Sequence, residues 1–438
     1  MNTDLIKADK IKILCLVLSY PFAFAYVYRN FLDLTPFGEM IFLTILSVYA
    51  IVWLELAIYQ QVLKGHIERS RRRTVETRIW EVAIVLLAMT TYKCMDSSLS
   101  LFFLHASIIY AVICGTGHLF REGSSIYMPA DMINGAFRIP FANFPGRIIA
   151  IIDSIRLRRV EAGSDAEVSS GVKTKKLIKF MIGAGVVFFC FIFLVAAFEN
   201  LADVDENFNS VRLSINDFFK NFRLDPNLVM DFILSFPVGM YLFGLFQGSV
   251  RTKPEFEKRV EKRVSAGILR LKFIAQIIFA VILMVFIGVY IAFFISQASY
   301  MFSAFFGILP EEFTASEYAV SGFHELINVV IINFFLLALV RLFSKDSRLI
   351  KILSVILLAE SMIFSMISAS KILLYISRFG YTESRYLGLW GTMVVFAGSI
   401  LLMVNLISRK KTFAYWLYFS VASYLGVCFA AFVAQMGR

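Results

Sequence analysis

Residues 268–296 read ILRLKFIAQIIFAVILMVFIGVYIAFFIS, and after Lys272 this run contains no charged side chain. The hydrocarbon core of a bilayer is about 30 Å thick, so a helix that crosses it needs about 20 predominantly apolar residues. Only a helix satisfies all the backbone hydrogen bonds of such a segment internally. The stretch therefore predicts a transmembrane α-helix.

Ten further apolar runs of similar length occur along the chain. They cover residues 11–29, 39–62, 79–95, 98–116, 177–198, 228–249, 318–342, 347–375, 386–408 and 412–436. Hydrophobic residues make up 59% of the chain, against about 45–50% in soluble globular domains. The sequence therefore predicts an all-α, polytopic transmembrane helical bundle of about 11 spans.

The cationic residues are distributed unevenly between the two sides of this predicted bundle. When the N-terminus and the alternate loops share one side, only nine of the 43 Lys and Arg residues fall on the other. Those nine are Arg29, Lys93, Arg212, Lys220, Arg223, Lys371, Arg378, Arg385 and Arg438. The positive-inside rule then predicts a cytoplasmic N-terminus and a C-terminus outside.

The loops divide the chain into four predicted regions. They are a four-span bundle over 1–116, a cytoplasmic amphipathic and linker segment over 117–176, a two-span hairpin with an acidic external loop over 177–250, and a five-span region over 251–438. The amphipathic segments have the pattern of interfacial helices.

Two basic cytoplasmic segments predict a membrane-surface role. Their cations are candidates for binding anionic lipids, and a protein partner is the alternative. The candidates are Arg147, Arg156, Arg158, Arg159, Lys258 and Arg259. Lys258 and Arg259 lie among Glu residues, so a solvated helix that extends the next span explains that segment as well. Nothing predicts nucleic-acid binding.

Ionisable side chains at membrane depth are costly and point to function. On spans eight and nine they are Glu325, Glu360 and Lys371, with His324 beside Glu325. Polar neighbours at helical spacing complete a predicted seam between the two spans; they are Asn328, Ser361, Ser365 and Ser368. One interpretation is a proton, ion or solute pathway in which the two acids titrate and Lys371 is the counter-charge. The other is a satisfied network that holds the helices together.

The familiar signatures of soluble enzymes are absent from the sequence. There is no Walker-type loop, no Gly-x-Ser-x-Gly motif, no His-Glu-x-x-His pair and no cysteine spacing typical of a metal site. The sequence therefore favours a protein that is not an enzyme, and it predicts neither a cofactor nor a bound metal.

Two segments near the C-terminal end carry a family resemblance. Residues 317–326 read EYAVSGFHEL, and residues 370–385 read SKILLYISRFGYTESR. Both resemble recurring motifs of bacterial multi-pass membrane proteins grouped as domains of unknown function of the 4153/4173 type. Basic residues are common in that family where Val320 and Ser321 stand here. The resemblance implies a multi-pass protein of the bacterial cytoplasmic (inner) membrane and supplies no reaction.

The same resemblance directs attention to a predicted outer mouth of spans eight to ten. Its candidate residues are Glu317, Tyr375, Thr382 and Arg385. Gly380 is predicted to end span nine and Thr382 to cap span ten. Arg385 is then placed to pair with Glu317, as a gate or as a structural clamp.

Three functional hypotheses remain open. The first is a transporter-like or permease-like protein that moves a small solute, ion or lipid-linked group through the seam of spans eight to ten. The second is a non-catalytic membrane sensor or partner protein that uses the basic cytoplasmic loops. The third is a membrane-embedded enzyme of envelope or lipid metabolism.

Overall fold

The computed structural model is built from helices. It describes residues 3–29, 32, 34–66, 71–91, 97–120, 128–152, 226–252, 254–272, 276–308, 315–345, 347–380 and 382–436. The first half contains α1 (Thr3–Tyr28), α2 (Pro36–Leu63), α3 (Arg71–Met89), α4 (Ser97–Gly115), α5 (Met128–Ile133), a π-helical turn (Asn134–Arg138), α6 (Ile139–Ala142) and helical residues 146–152.

The second half continues the same all-helical pattern. Its elements are α7 (Pro226–Arg251), α8 (Pro254–Leu271), α9 (Gln276–Ser296), α10 (Ala298–Phe302), a 3-10 turn (Ser303–Phe306), α11 (Ala315–Phe343), α12 (Arg348–Phe379), α13 (Glu383–Ser408) and α14 (Phe413–Met436). All of these elements are helical, as the apolar runs predict.

Within the ranges given above, nine helices are long and apolar enough to cross a membrane. Their spanning parts are Lys7–Tyr28, Pro36–Leu63, Ser98–Gly115, Met230–Arg251, Gln276–Ser296, Phe323–Phe343, Arg348–Phe379, Glu383–Ser408 and Phe413–Val433. Each overlaps one of the predicted runs. The chain is a multi-pass helical membrane protein.

Two of the eleven predicted spans are not among these nine. The run 79–95 overlaps α3, which begins with Arg71–Arg73 and ends at Met89, and residues 92–95 of that run lie outside the described residues. The run 177–198 lies outside the described residues. The total of eleven spans, and the orientation derived from it, therefore remain predictions.

The cation-rich segment before the seventh predicted span forms a helix of its own. This helix, α8, ends at Leu271, and α9 begins at Gln276. Basic side chains such as Lys258 and Arg259 are exposed, while Val260 and Val264 on the opposite face are half-buried. This segment is therefore an amphipathic helix, and its predicted extension into the next span stays a prediction, because residues 273–275 lie outside the described residues.

The described residues fall into two compact units. The first contains Met1–Val85, His105–His118 and Met132–Pro254. In it α7 packs against α1, α2 and α6. A side chain at Gly244 would meet the backbone of Pro140, so glycine is required where α6 crosses α7.

The second unit contains Leu86–Leu104, Leu119–Asp131 and Glu255–Arg438. Its central element is α12, which packs against α9, α11 and α13, and α13 packs against α14. At its start the Ser347 hydroxyl accepts a hydrogen bond from the N–H of Ile350. At its end Gly380 has a φ of 74°, a backbone conformation that favours glycine. The predicted end of span nine at Gly380 is confirmed.

Candidate functional site

One face of α12 has a charged side chain at each end and an apolar middle. Glu360, Phe364, Ile367 and Lys371 follow the spacing i, i+4, i+7 and i+11, which places them on one side of a helix. All four are buried: Glu360 is 6% exposed and Lys371 only 1%. This face is directed toward protein, where ionisable groups at membrane depth are normally found.

A tyrosine, an asparagine and a serine connect three helices beside this face. The Tyr290 hydroxyl on α9 donates to Asn333 Oδ1 on α11 at 2.8 Å. Asn333 Nδ2 in turn donates to the Ser361 hydroxyl on α12 at 2.9 Å. Asn333 is fully buried, so this bridge holds α9, α11 and α12 together in their polar interior.

Three buried serines form a second stripe on α12, next to the charged face. The Ser361 hydroxyl donates to the carbonyl of Leu357 at 2.9 Å, and Ser365 donates to the carbonyl of Ser361 at 2.8 Å. The Ser368 hydroxyl has no hydrogen-bond partner among the residues that the structure describes. The stripe therefore ends in an unsatisfied hydroxyl.

One carboxyl oxygen of Glu360 is unsatisfied within this network. Its Oε2 atom is buried and accepts no hydrogen bond from any described residue. The Tyr290 hydroxyl lies near enough to interact with the carboxyl group electrostatically. Burying a carboxylate without a partner is costly, and the cost disappears when a proton or a cation accompanies it.

Lys371 lies against an aromatic ring near the far end of the same face. Its Nζ atom is 3.8 Å from the centroid of the Tyr300 ring on α10, a cation–π contact. Glu325 on α11 is close enough to interact with it electrostatically, although the Glu325 side chain is exposed. Lys371 is therefore a buried cation with an aromatic contact and one acid within electrostatic range, and its predicted role as the counter-charge of the two acids stays a prediction.

Aromatic rings separate the two charged ends of this face. The Phe364 ring stacks on Phe294 with centroids 4.7 Å apart and meets the edge of Tyr290 at 5.1 Å. Eleven residues separate Glu360 from Lys371, a rise of about 16 Å. In the conformation described, Phe364 fills the space between them.

Two of the outer-mouth candidates contact each other. The Arg385 guanidinium lies 4.0 Å from the centroid of the Tyr375 ring and donates to the carbonyl of Gly380 at 2.7 Å. Thr382 is the N-cap residue of α13, as predicted, although its side chain makes no capping hydrogen bond. The Glu317 side chain lies outside the described residues, so its pairing with Arg385 stays a prediction.

The structure joins the predicted seam residues only in part. Ser361, Ser365, Ser368, Glu360 and Lys371 are buried on α12. On α11, by contrast, the side chains of His324, Glu325 and Asn328 are exposed. The bundle therefore buries the α12 part of the seam more completely than the α11 part.

Sequence reasoning missed the contribution of α9 and α10. Tyr290 is the only residue of 276–296 with a phenol, in an otherwise apolar run, and this hydroxyl was the available signal. Tyr300 lies beyond the apolar run, so nothing in the pattern connected it to Lys371.

A separate acidic pair lies in the first unit. Arg78 on α3 donates to Glu81 at 2.6 Å and to Glu55 of α2 at 2.9 Å. Glu81 has a side chain only 8% exposed, whereas that of Glu55 is 33% exposed. The Arg78 guanidinium therefore links Glu81 of its own helix to Glu55 of α2. The sequence gave no sign of this contact between the two helices.

The predicted lipid-binding cations have different environments. Arg147 is 9% exposed, and its guanidinium lies over the rings of Tyr20 and Phe236. Lys258 and Arg259 are exposed on α8. Arg156, Arg158 and Arg159 lie outside the described residues. The described cations thus include one interior arginine and two surface side chains.

Asp131 is a buried acid outside the spanning segments. Burial raises the pKa of Asp131 to about 7, although its hydrogen bond from the N–H of Phe120 opposes that rise. The bond is 2.7 Å long, and the charge of Glu261 raises the pKa further. Asp131 therefore titrates near neutral pH. In the described part of the chain, no group of three or more His, Cys, Asp or Glu residues is arranged to hold a metal ion.

Comparison with known families gives one match. A family model described as a domain of unknown function (DUF4153) matches residues 81–437. No curated protein and no solved structure matches the chain. The matched range contains every residue of the α9–α12 site.

Proposed function

Because the chain belongs to the DUF4153 family, whose description assigns no activity, we propose a function from the site itself. The protein is a transporter of a small solute or ion through the interior of α9, α11 and α12. Glu360 binds a proton or a small cation, and Lys371 is the fixed counter-charge. The protein resides in a bacterial cytoplasmic membrane, as the family resemblance implies, and its N-terminus lies in the cytoplasm, as the cation distribution predicts.

The observation that carries this proposal is the unsatisfied carboxyl oxygen of Glu360. Most buried polar side-chain atoms in proteins have a hydrogen-bond partner. A purely structural acid at this depth would leave a buried acceptor unsatisfied without any compensating gain. A residue that alternately binds and releases a cation is left unsatisfied in its empty state. Transport therefore accounts for Glu360 better than helix packing does.

The serine stripe supplies a polar route beside the aromatic barrier. Ser365 and Ser368 follow one side of α12, and the Ser368 hydroxyl has no described partner. Phe364, on the neighbouring side, closes the direct line between Glu360 and Lys371. We expect transport to require a second conformation, in which the Phe364–Phe294 contact opens and water reaches the serines.

Water access can be tested with single cysteines in a variant that lacks the five native cysteines. Ser365→Cys is the test residue, and Met366→Cys is the control, because Met366 is the next position of the same helix but is 49% exposed on its outward side, which faces away from the serine stripe. A membrane-impermeant methanethiosulfonate reagent is expected to modify Ser365→Cys in membrane vesicles and to leave the lipid-facing Met366→Cys unmodified. Equal absence of modification at both positions, from either side of the membrane, would refute the proposed pathway.

The role of Glu360 is tested in the same background. The modification rate at Ser365→Cys is expected to depend on pH or on sodium concentration, because binding at Glu360 shifts the population of the open state. Adding Glu360→Gln should abolish that dependence while leaving the cysteine reactive. If the dependence persisted in the Gln variant, Glu360 would not be the binding residue.

A second candidate function rests on α8. This helix exposes Lys258, Arg259, Lys262 and Arg263, a surface suited to an acidic protein partner or to anionic lipid. A membrane sensor that works through α8 needs no water in the interior of α12. The cysteine experiment therefore separates the two functions, since an unreactive Ser365→Cys favours the sensor.

A further inference from the structure

Two short segments of the second unit are rich in cations. Residues 341–351 include the connection between α11 and α12, and residues 405–412 include the connection between α13 and α14. Together these segments contain seven Lys and Arg residues and one acid, Asp346. The seven cations, which we call the basic patch, are Arg341, Lys345, Arg348, Lys351, Arg409, Lys410 and Lys411.

The basic patch lies where four spanning helices begin or end. The spanning part of α11 ends at Phe343 and that of α12 begins at Arg348, while that of α13 ends at Ser408 and that of α14 begins at Phe413. Because α12 and α13 are the two crossings between these connections, both connections lie at the same membrane surface. The cations are therefore at the depth of the lipid head groups.

The cations of the basic patch are accessible from the surface. Six of the seven side chains are exposed, and that of Arg341 is half-buried. A ligand at the membrane surface can therefore reach them without displacing any packed residue. Like charges at such density repel each other, and an anion that contacts several of them relieves this repulsion.

Hydrogen bonds hold the α13–α14 connection against α11 and α12. Arg341 Nη1 donates to Asn405 Oδ1 at 2.8 Å, and Asn405 Nδ2 donates to the carbonyl of Lys410. Lys351 Nζ donates to the carbonyl of Ile407 at 3.4 Å. The cations of both connections are therefore held side by side, and a fixed arrangement lowers the entropic cost of binding a ligand.

Arg409 has a backbone conformation that is unfavourable for its residue type. Its φ is 55°, and within the described ranges it is the one residue other than glycine with a positive φ. At the end of a helix such a position is usually taken by glycine or asparagine. Residues held in unfavourable backbone conformations cluster at binding sites. A use for the Arg409 side chain would offset this local cost.

Exposed apolar side chains continue from the basic patch along both helices into the membrane. On α12, Ile352 and Ile356 follow Arg348 at i+4 and i+8, on the same side of the helix, and both are exposed. On α13, Ile407 is exposed two residues before Arg409. Cations at the surface with exposed apolar side chains below them match the order of a phospholipid, whereas an acidic protein in solution requires no such apolar continuation.

We propose that the basic patch binds the phosphate head group of an anionic phospholipid in the adjoining leaflet. The phosphate oxygens accept hydrogen bonds from the exposed guanidinium and ammonium groups. The acyl chains lie along the exposed apolar sides of α12 and α13. The site is at the membrane surface, whereas Glu360 is buried twelve residues into α12 from Arg348, so the lipid site does not depend on transport.

Native mass spectrometry of the purified full-length protein measures this binding. Phosphatidylglycerol is the anionic probe, phosphatidylcholine is the zwitterionic reference, and inorganic phosphate tests the free anion. Arg409→Gly/Lys410→Gln removes two charges and favours the positive φ, so the fold should be kept. We expect phosphatidylglycerol binding to weaken about tenfold or more, with no change for phosphatidylcholine. Lys7→Gln/Lys10→Gln, which removes two exposed cations of α1, is the matched control and should bind phosphatidylglycerol as the wild type does.

Each outcome decides the proposal. Equal phosphatidylglycerol affinity in wild type and Arg409→Gly/Lys410→Gln would overturn the lipid site and leave the basic patch to an acidic protein partner. Equal losses in the two double variants would also overturn it, because binding would then follow the net charge of the protein alone. Displacement of phosphatidylglycerol by inorganic phosphate at a similar concentration would overturn the lipid as the source of the anion.

A second variant covers the case in which the first does not fold. Lys345→Gln/Arg348→Gln removes two exposed cations from the other connection and leaves the α13–α14 connection unchanged. We expect a similar loss of phosphatidylglycerol binding in this variant. Unchanged binding would overturn the proposal.

Discussion

Replacing Glu360 by methionine is expected to make the folded protein more stable while removing its proposed cation-binding group. The Glu360 side chain is 6% exposed, and its Oε2 atom has no described hydrogen-bond partner. A buried unsatisfied polar atom costs about 1–3 kcal/mol. Methionine has an unbranched apolar chain of similar length that adapts to the same space. We therefore expect the free energy of unfolding to rise by about 1–3 kcal/mol.

Unfolding in mixed micelles of dodecyl maltoside and sodium dodecyl sulfate, followed by tryptophan fluorescence, measures this change. Asn328→Gln is the control, because the Asn328 side chain is exposed on the neighbouring helix and its replacement should change stability by no more than about 0.5 kcal/mol. A loss of 1 kcal/mol or more in Glu360→Met would refute the reasoning, since the carboxyl group would then make a stabilising contact.

Two further predictions concern the rest of the fold. Burial raises the pKa of Asp131 to about 7 in the folded protein, whereas an Asp in an unfolded chain has a pKa of about 3.9. The folded state therefore binds this proton more tightly, and the resulting stabilisation is complete below pH 4 and is lost as the pH rises through 7. Asp131→Asn should remove that pH dependence and raise the free energy of unfolding at pH 8 by at most about 4 kcal/mol. Thermal unfolding between pH 5 and 8 measures this change. An unchanged pH profile would contradict the raised pKa of Asp131. Gly244→Ala should lower the free energy of unfolding by about 1–3 kcal/mol, because its methyl group meets the backbone of Pro140. Gly267→Ala is the control, because a Cβ atom at Gly267 on α8 meets no other atom. This change should raise the free energy of unfolding by about 0.5–1 kcal/mol in the same measurement. Equal effects at the two glycines would show that the close approach of α6 to α7 does not require a glycine at position 244.

The transmembrane character of the chain followed from local composition. An apolar run such as 276–296 has to form a helix in lipid regardless of its neighbours, because only internal hydrogen bonds are available to its backbone. The end of α12 at Gly380 was equally local, since a positive φ favours glycine. Apolar content was less informative at residues 79–95, because α3 begins with Arg71–Arg73 and ends at Met89, so a span there stays a prediction. Apolar content alone did not reveal where that helix would end.

The contacts of the ionisable residues depended on the tertiary structure. Helical periodicity placed Glu360 and Lys371 on one face of α12, but it gave no information about which helices would cover that face. Tyr290 and Tyr300 occupy it because α9 and α10 pack there. Arg147 belonged to a segment whose pattern predicts the membrane surface, yet its guanidinium lies at the centre of the α1–α7 contact. Periodicity reports the face of a single helix, whereas the partner of that face is decided by the packing of residues distant in sequence.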